Sequence, residues 1–217
     1  MVFVALFNPC GGIMIGDTME IVLVGRSNVG KSSVIRQLTS KRVPVGKRPG
    51  VTRRPLRLKL GELEIIDMPG FGYMAGVSRA RQEAVKTEIV SYLEKNREKI
   101  LFALEVLDAR AFSQIVERWE QRGQLPVDIE MFQFLQEMKL HPIVAVNKID
   151  LIHPDERDGV LDDICEKLGL QPPWRQWLDT MAPISAKTGE GVTELKRLIK
   201  QRLSESGQER LQKYFKI

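Results

Sequence analysis

The sequence predicts an α/β fold of three layers: a mostly parallel six-stranded sheet with one antiparallel strand, and helices on both faces. Three observations predict it. Short apolar runs alternate with longer segments whose apolar residues recur at helical spacing, the pattern of strand–helix–strand crossovers. The runs at 56–60 and 63–66 are separated only by Gly61 and Glu62, too little for a crossover, so they form the antiparallel hairpin. A glycine-rich stretch, Gly25 to Ser33, joins the first strand directly to the first helix. At 217 residues the chain suits one such domain of ordinary size with a sizeable core. The expected division is a loosely ordered leader at 1–18, the domain at 19–203 and a polar, loosely held tail at 204–217.

The run Glu20-Ile21-Val22-Leu23-Val24 is a buried-strand pattern, and Val34, Ile35 and Leu38 mark the helix that follows. Between them GRSNVGKSS has the GxxxxGKS spacing of a phosphate-binding loop. Gly25 and Gly30 reach conformations closed to residues with a Cβ, so the N–H groups of Arg26, Ser27, Asn28, Val29, Gly30, Lys31, Ser32 and Ser33 can turn toward a diphosphate. The next helix adds its positive N-terminal end. Lys31 is expected to reach the β and γ phosphates, and the Ser32 hydroxyl to ligate magnesium.

Residues 41–54 are basic, punctuated by Pro and Gly, and read as a mobile loop. Within it Gly50-Val51-Thr52 places a hydroxyl where the loop can close over a γ-phosphate and its metal ion, so Thr52 is a candidate ligand and catalytic residue. The hairpin's second strand ends at Asp67-Met68-Pro69-Gly70. An acidic residue at the carboxyl end of a buried strand beside a phosphate loop is the expected outer partner of the magnesium shell, and the Gly70 N–H can meet the γ-phosphate. A helix is expected at 79–95, a strand at 100–107 ending in Asp108, a charged connection at 111–124 and a helix at 126–138.

The strand at 142–146 delivers Asn147-Lys148-Ile149-Asp150. The Asp150 carboxylate can accept from guanine N1–H and the N2 amine together, a pairing adenine cannot satisfy. Asn147 would tie neighbouring loops together, and Lys148 would lie along the base or ribose. After a charged helix at 154–168, with Trp174 and Trp177 as packing anchors, a short strand at 182–184 leads to Ser185-Ala186-Lys187, where the Ala186 N–H can meet guanine O6. Val192, Leu195, Ile199 and Leu203 define the closing helix.

Composition narrows the setting. Thirty-three Lys and Arg against 28 Asp and Glu give a net charge of +5. Nine basic residues and no acidic one fall between Arg36 and Gly61, which points to an anionic partner beyond the nucleotide. The two cysteines fit no metal or redox spacing, no apolar run approaches the length of a membrane helix, and a reducing cytoplasm is the expected location.

GRSNVGKSS, PGVTR, DMPGFGY, NKID and SAK, in this order, resemble the five guanine-nucleotide elements of the TRAFAC translation-factor GTPases, whose fold is the Ras-like P-loop GTPase fold. Most of all they are similar to the EngB (YihA/YsxC-like) family, over about residues 19–203. PGVT and NKID stand where bacterial members more often have PGKT and TKxD, and the connection at 122–128 resembles the archaeal branch. The resemblance implies a magnesium-dependent GTPase acting as a switch in assembly of the large ribosomal subunit, with ribosomal RNA against the basic stretch; a monomer with a low intrinsic rate is expected. A second reading stays open: a GTP-gated binding module for a cell-division, septation or other partner. In Ras-like enzymes a glutamine after DxxG orients the attacking water, and here Phe71 stands there. Asn28 resembles the asparagine that holds potassium in related GTPases; the alternative is that it only bonds nearby backbone.

Overall fold

The computed structural model describes residues 18–39, 55–72 and 78–217. Six strands, β1 (Met19–Val24), β2 (Leu56–Leu60), β3 (Leu63–Asp67), β4 (Ile100–Asp108), β5 (Ile143–Asn147) and β6 (Met181–Pro183), form one sheet in the order β2-β3-β1-β4-β5-β6. Only β2 with β3 is antiparallel, as their short turn requires. β1 pairs in parallel with β3 on one side and β4 on the other, and all six of its residues are buried. That burial on both faces is why its sequence is apolar without alternation.

Helices α1 (Lys31–Thr39) and α6 (Val192–Glu205) cover one face, where Val34, Ile35, Leu195 and Ile199 meet Ile21, Leu23, Leu104 and Val106. The other face carries α2 (Arg79–Lys95), α3 (Phe112–Glu120), α4 (Val127–Glu137) and α5 (Arg157–Lys167). α2 starts where the Ser78 hydroxyl accepts from the Arg81 N–H at 3.3 Å, and it buries Val85, Ile89 and Leu93. Among the described residues no helix is long and apolar enough to cross a membrane.

Two expectations are corrected. The connection at 111–124 contains α3, because Phe112 and Val116 lie one turn apart and are both buried, while charged neighbours mask their spacing. The tail is not loosely held. Glu209–Tyr214 forms a 3-10 turn that buries Leu211, and Phe215 follows it into the same core as α1 and α6. The turn also grips the β2–β3 hairpin: Arg210 pairs with Glu62 at 2.7 Å, Lys213 with Glu62 at 3.4 Å, and the Tyr214 hydroxyl sits where a Cβ on Gly61 would stand. Residues 1–17, most of the expected leader, lie outside the described residues.

Candidate functional site

The strand order reverses at β1, since the chain goes first to β2 and β3 on one side and then to β4 on the other. In open α/β sheets that is where a ligand crevice opens, at the carboxyl ends of the strands. The phosphate loop leaves β1 there and runs straight into α1. Gly30 has φ +101°, and a Cβ on it would stand 2.4 Å from Asn147 Nδ2, so only glycine fits both the turn and the approach. Asn28 adopts φ +68°, a left-handed conformation asparagine tolerates, and its side chain is exposed. Val29 is buried. The Ser33 and Val34 N–H groups close on the Gly30 carbonyl at 2.9 Å each, which starts α1.

Lys31 is almost wholly buried. Its Nζ donates to the carbonyls of Gly25 at 2.8 Å and Arg26 at 3.1 Å. Burial lowers its pKa to about 8, against the raising influence of Asp67 and Asp128. Asp67, at the end of β3, accepts from the Ser32 hydroxyl at 2.6 Å through Oδ2. Burial raises the Asp67 carboxyl, with Lys31 and Ser32 acting the other way. Its Oδ1 is buried and has no hydrogen-bond partner among the described residues. A buried, unused carboxylate oxygen beside a serine hydroxyl is the donor set that a hydrated magnesium ion satisfies.

Gly70 comes against the phosphate loop so closely that a Cβ would lie 2.6 Å from Ser27 Cα. Ser27 N–H donates to the Phe71 carbonyl at 3.2 Å, and the Phe71 ring is buried as a packing residue. Met68 is also fully buried, in the core under α2 and α4, and Pro69 is buried, so of the four residues of DxxG only Asp67 and Gly70 face the loop as expected. Gly50, Val51 and Thr52 lie outside the described residues.

At the other end of the crevice Asn147 joins two loops. Its Nδ2 donates to the Val29 carbonyl at 2.7 Å, and its Oδ1 accepts from the Ala186 N–H at 2.9 Å. The loop-tying role expected of Asn147 is therefore present, but the Ala186 N–H is already used by it rather than pointing free toward a base. A buried amide must find a partner, and the Asn147 side-chain oxygen supplies it. Ser185 is fully buried and its hydroxyl accepts from Thr188 N–H at 3.1 Å. Lys187 is exposed, with Nζ 3.9 Å from Asp150 Oδ2. Lys148 has φ +68° and pairs through Nζ with Asp108 Oδ2 at 2.5 Å.

Comparison with known proteins bears on this geometry. A family model described as 50S ribosome-binding GTPase matches residues 20–148. A probable GTP-binding protein EngB of Methanopyrus kandleri is 57% identical over 200 residues, covering 91% of this chain and 98% of that protein. The chain belongs to the EngB family of GTPases. A second EngB relative, from Methanosarcina barkeri, is 48% identical over 199 residues, covering 92% and 95% of the two chains. A crystal structure of a probable EngB superposes with a TM-score of 0.77 at 43% identity, over 86% of this chain and 99% of that one. The S. thermophilus NFeoB structure bound to GDP.AlF4- and K+, at 22% identity and a TM-score of 0.53 over 84% of this chain and 61% of that one, shares the fold. As an EngB GTPase the chain binds GTP and hydrolyses it to GDP and phosphate.

Three residues of this EngB site escaped the sequence reading. Asp108 holds Lys148, and its Oδ1 also accepts from the N–H groups of Arg110 and Ala111 at 3.1 and 3.2 Å. Its place at the end of a buried strand was the available signal. Asp128 pairs with Arg26 across 102 positions of sequence, and Glu105 is buried in the middle of β4; neither carries a local pattern.

Proposed function

We propose that the crevice at the ends of β1, β3 and β5 is the guanine-nucleotide site and that this GTPase acts as a switch in assembly of the large ribosomal subunit. The observation that carries the site is the pairing of Ser32 with Asp67 beside buried Lys31, at the mouth of a glycine loop that Asn147 ties to the Ser185–Lys187 segment. Lys31 takes the β and γ phosphates. Ser32, Thr52 and Asp67 would hold a magnesium ion, which would supply positive charge against that developing on the phosphates. The Gly70 N–H meets the γ-phosphate. Asp150 pairs with guanine N1 and N2, Lys148, held by Asp108, lies along the base, and guanine O6 competes with Asn147 for the Ala186 N–H. Exposed Asn28 offers its carbonyl oxygen to a monovalent cation, because buried Phe71 has no polar group with which to orient water. Hydrolysis is then faster in potassium than in sodium at equal ionic strength, and Asn28→Ala removes the difference; equal parent rates in the two salts refute this role.

The ribosomal reading is supported by the family description and by the positive charge of the chain. Co-sedimentation with purified large ribosomal subunits tests it. The complex is expected with a non-hydrolysable GTP analogue and not with GDP. Sedimentation that ignores the nucleotide, or no binding at all, returns the chain to a GTP-gated module for another partner such as a cell-division protein.

A further inference from the structure

Arg26 lies inside the phosphate loop, yet its guanidinium is committed elsewhere. Nη1 donates to Asp128 Oδ2 at 2.9 Å, and the two side chains are only 11% and 1% exposed. Asp128 belongs to the first turn of α4. The same guanidinium lies against the backbone just past DxxG: a Cβ on Gly72 would stand 2.7 Å from its central carbon. The backbone of Arg26 bridges that of Phe71 in parallel register, next to the Ser27–Phe71 hydrogen bond. One side chain therefore connects the phosphate loop, the segment that follows Gly70, and α4. Behind it Glu105 is fully buried, and both its carboxylate oxygens are without hydrogen-bond partners among the described residues. Burial and the neighbouring Asp128 charge hold its carboxyl well above the usual range.

A buried ion pair is a poor source of stability, because desolvating two charges offsets most of their attraction. What it supplies is a fixed position. We propose that Arg26, clamped by Asp128, is a positioning residue for the DxxG turn, holding Phe71 and Gly72 against the phosphate loop so that the Gly70 N–H already stands where the γ-phosphate arrives. This rests on the reading above that Gly70 meets the γ-phosphate. An N–H placed in advance adds affinity for GTP that GDP does not share, and adds to the rate because no reorganisation is needed in the transition state. Cζ, Nη2 and Nε of the guanidinium all come within 3.1 Å of where a Cβ on Gly72 would stand, a planar contact that a lysine ammonium cannot reproduce.

The test uses two variants of the full chain. Arg26→Lys keeps the charge for Asp128 and removes the planar face. The double variant Arg26→Met with Asp128→Val replaces the buried pair by apolar groups of about the same total volume, an exchange that buried ion pairs often tolerate in stability. Affinities for GDP and for the analogue GMPPNP are measured by fluorescent-nucleotide competition, and hydrolysis by single turnover. The expected result is GDP affinity within about twofold of the parent, with the preference for GMPPNP over GDP and the hydrolysis rate each down about tenfold. The proposal is overturned if either folded variant keeps the parent's preference and rate, or if both nucleotides weaken equally, which would make the pair structural only. Lys31→Met is run alongside. If it still binds nucleotide, the site reading fails; if it does not while both Arg26 variants behave as the parent, only the positioning role of Arg26 fails.

Discussion

Lys31 shows how one side chain's surroundings set a measurable property of the site. Its ammonium is held by two carbonyls and buried away from water, so it loses its proton near pH 8 rather than above 10. A bound diphosphate favours the charged form and raises that value. Nucleotide binding above pH 8 must therefore take up a proton, and affinity falls as pH rises, by up to about tenfold per unit, while below pH 7 this group contributes no slope. Titrating the parent's GDP affinity from pH 7 to 9 should show that bend; a flat curve refutes the assignment. If Asp150 pairs with guanine N1 and N2 as proposed, the change to Asn exchanges one acceptor oxygen for a donor facing them. GTP affinity is expected to fall by about 1–3 kcal/mol while xanthosine triphosphate, which presents a carbonyl there, is held better than by the parent. Equal loss of both nucleotides would contradict the pairing.

At the scale of elements, the hairpin β2–β3 is held from both faces of the sheet. On one, Arg57 of β2 bonds Glu20 at 3.0 Å, Glu64 at 2.8 Å and the Tyr92 hydroxyl at 3.0 Å, so β1, β2, β3 and α2 meet at one guanidinium. On the other, the Glu209–Tyr214 turn grips Glu62 and covers Gly61. Phe215 completes that cover with a fully buried ring. Phe215→Ala should destabilise the domain by about 3–5 kcal/mol in denaturant unfolding, the range for emptying a buried aromatic site. A loss below about 1 kcal/mol would mean that the tail contributes little to the fold.

For the whole molecule, the question is where its net charge of +5 acts. Arg57 and Lys59 belong to the basic run, but Arg57 is tied into the cluster just described and Lys59 lies 3.6 Å from Glu64. Arg53 and Arg54 lie outside the described residues. If the run meets RNA phosphates, ribosome affinity falls steeply with salt, and Arg53→Ala with Arg54→Ala flattens the slope without lowering Tm. Arg57→Ala, by contrast, should lower Tm because it leaves buried Glu20 without its cation and Glu64 with only Lys59 at 3.6 Å. A complex that ignores salt would remove the basic run from the interface.

Much of this protein is written locally. A strand buried on both faces must be apolar, a phosphate loop must place its glycines and its Lys-Ser pair at set intervals, and a guanine site needs a carboxylate at a strand end. Each is a short-range demand, so β1, the loop at Gly25–Ser33, Asp67 and the Asn147–Asp150 turn were all legible from the chain alone, as was the single antiparallel hairpin. What the sequence could not carry are pairings whose members are far apart or whose signal is weak. Phe112 and Val116 are too few to announce α3, and Leu211 and Phe215 become core residues only because the hairpin end and α6 leave a place for them. Nothing in the chain announces that the Arg26 guanidinium meets Asp128 of α4, and the Ala186 N–H looked free until Asn147 reached it. A hydrogen bond or ion pair is satisfied by whichever partner the fold brings within about 3 Å, and that choice belongs to the tertiary structure.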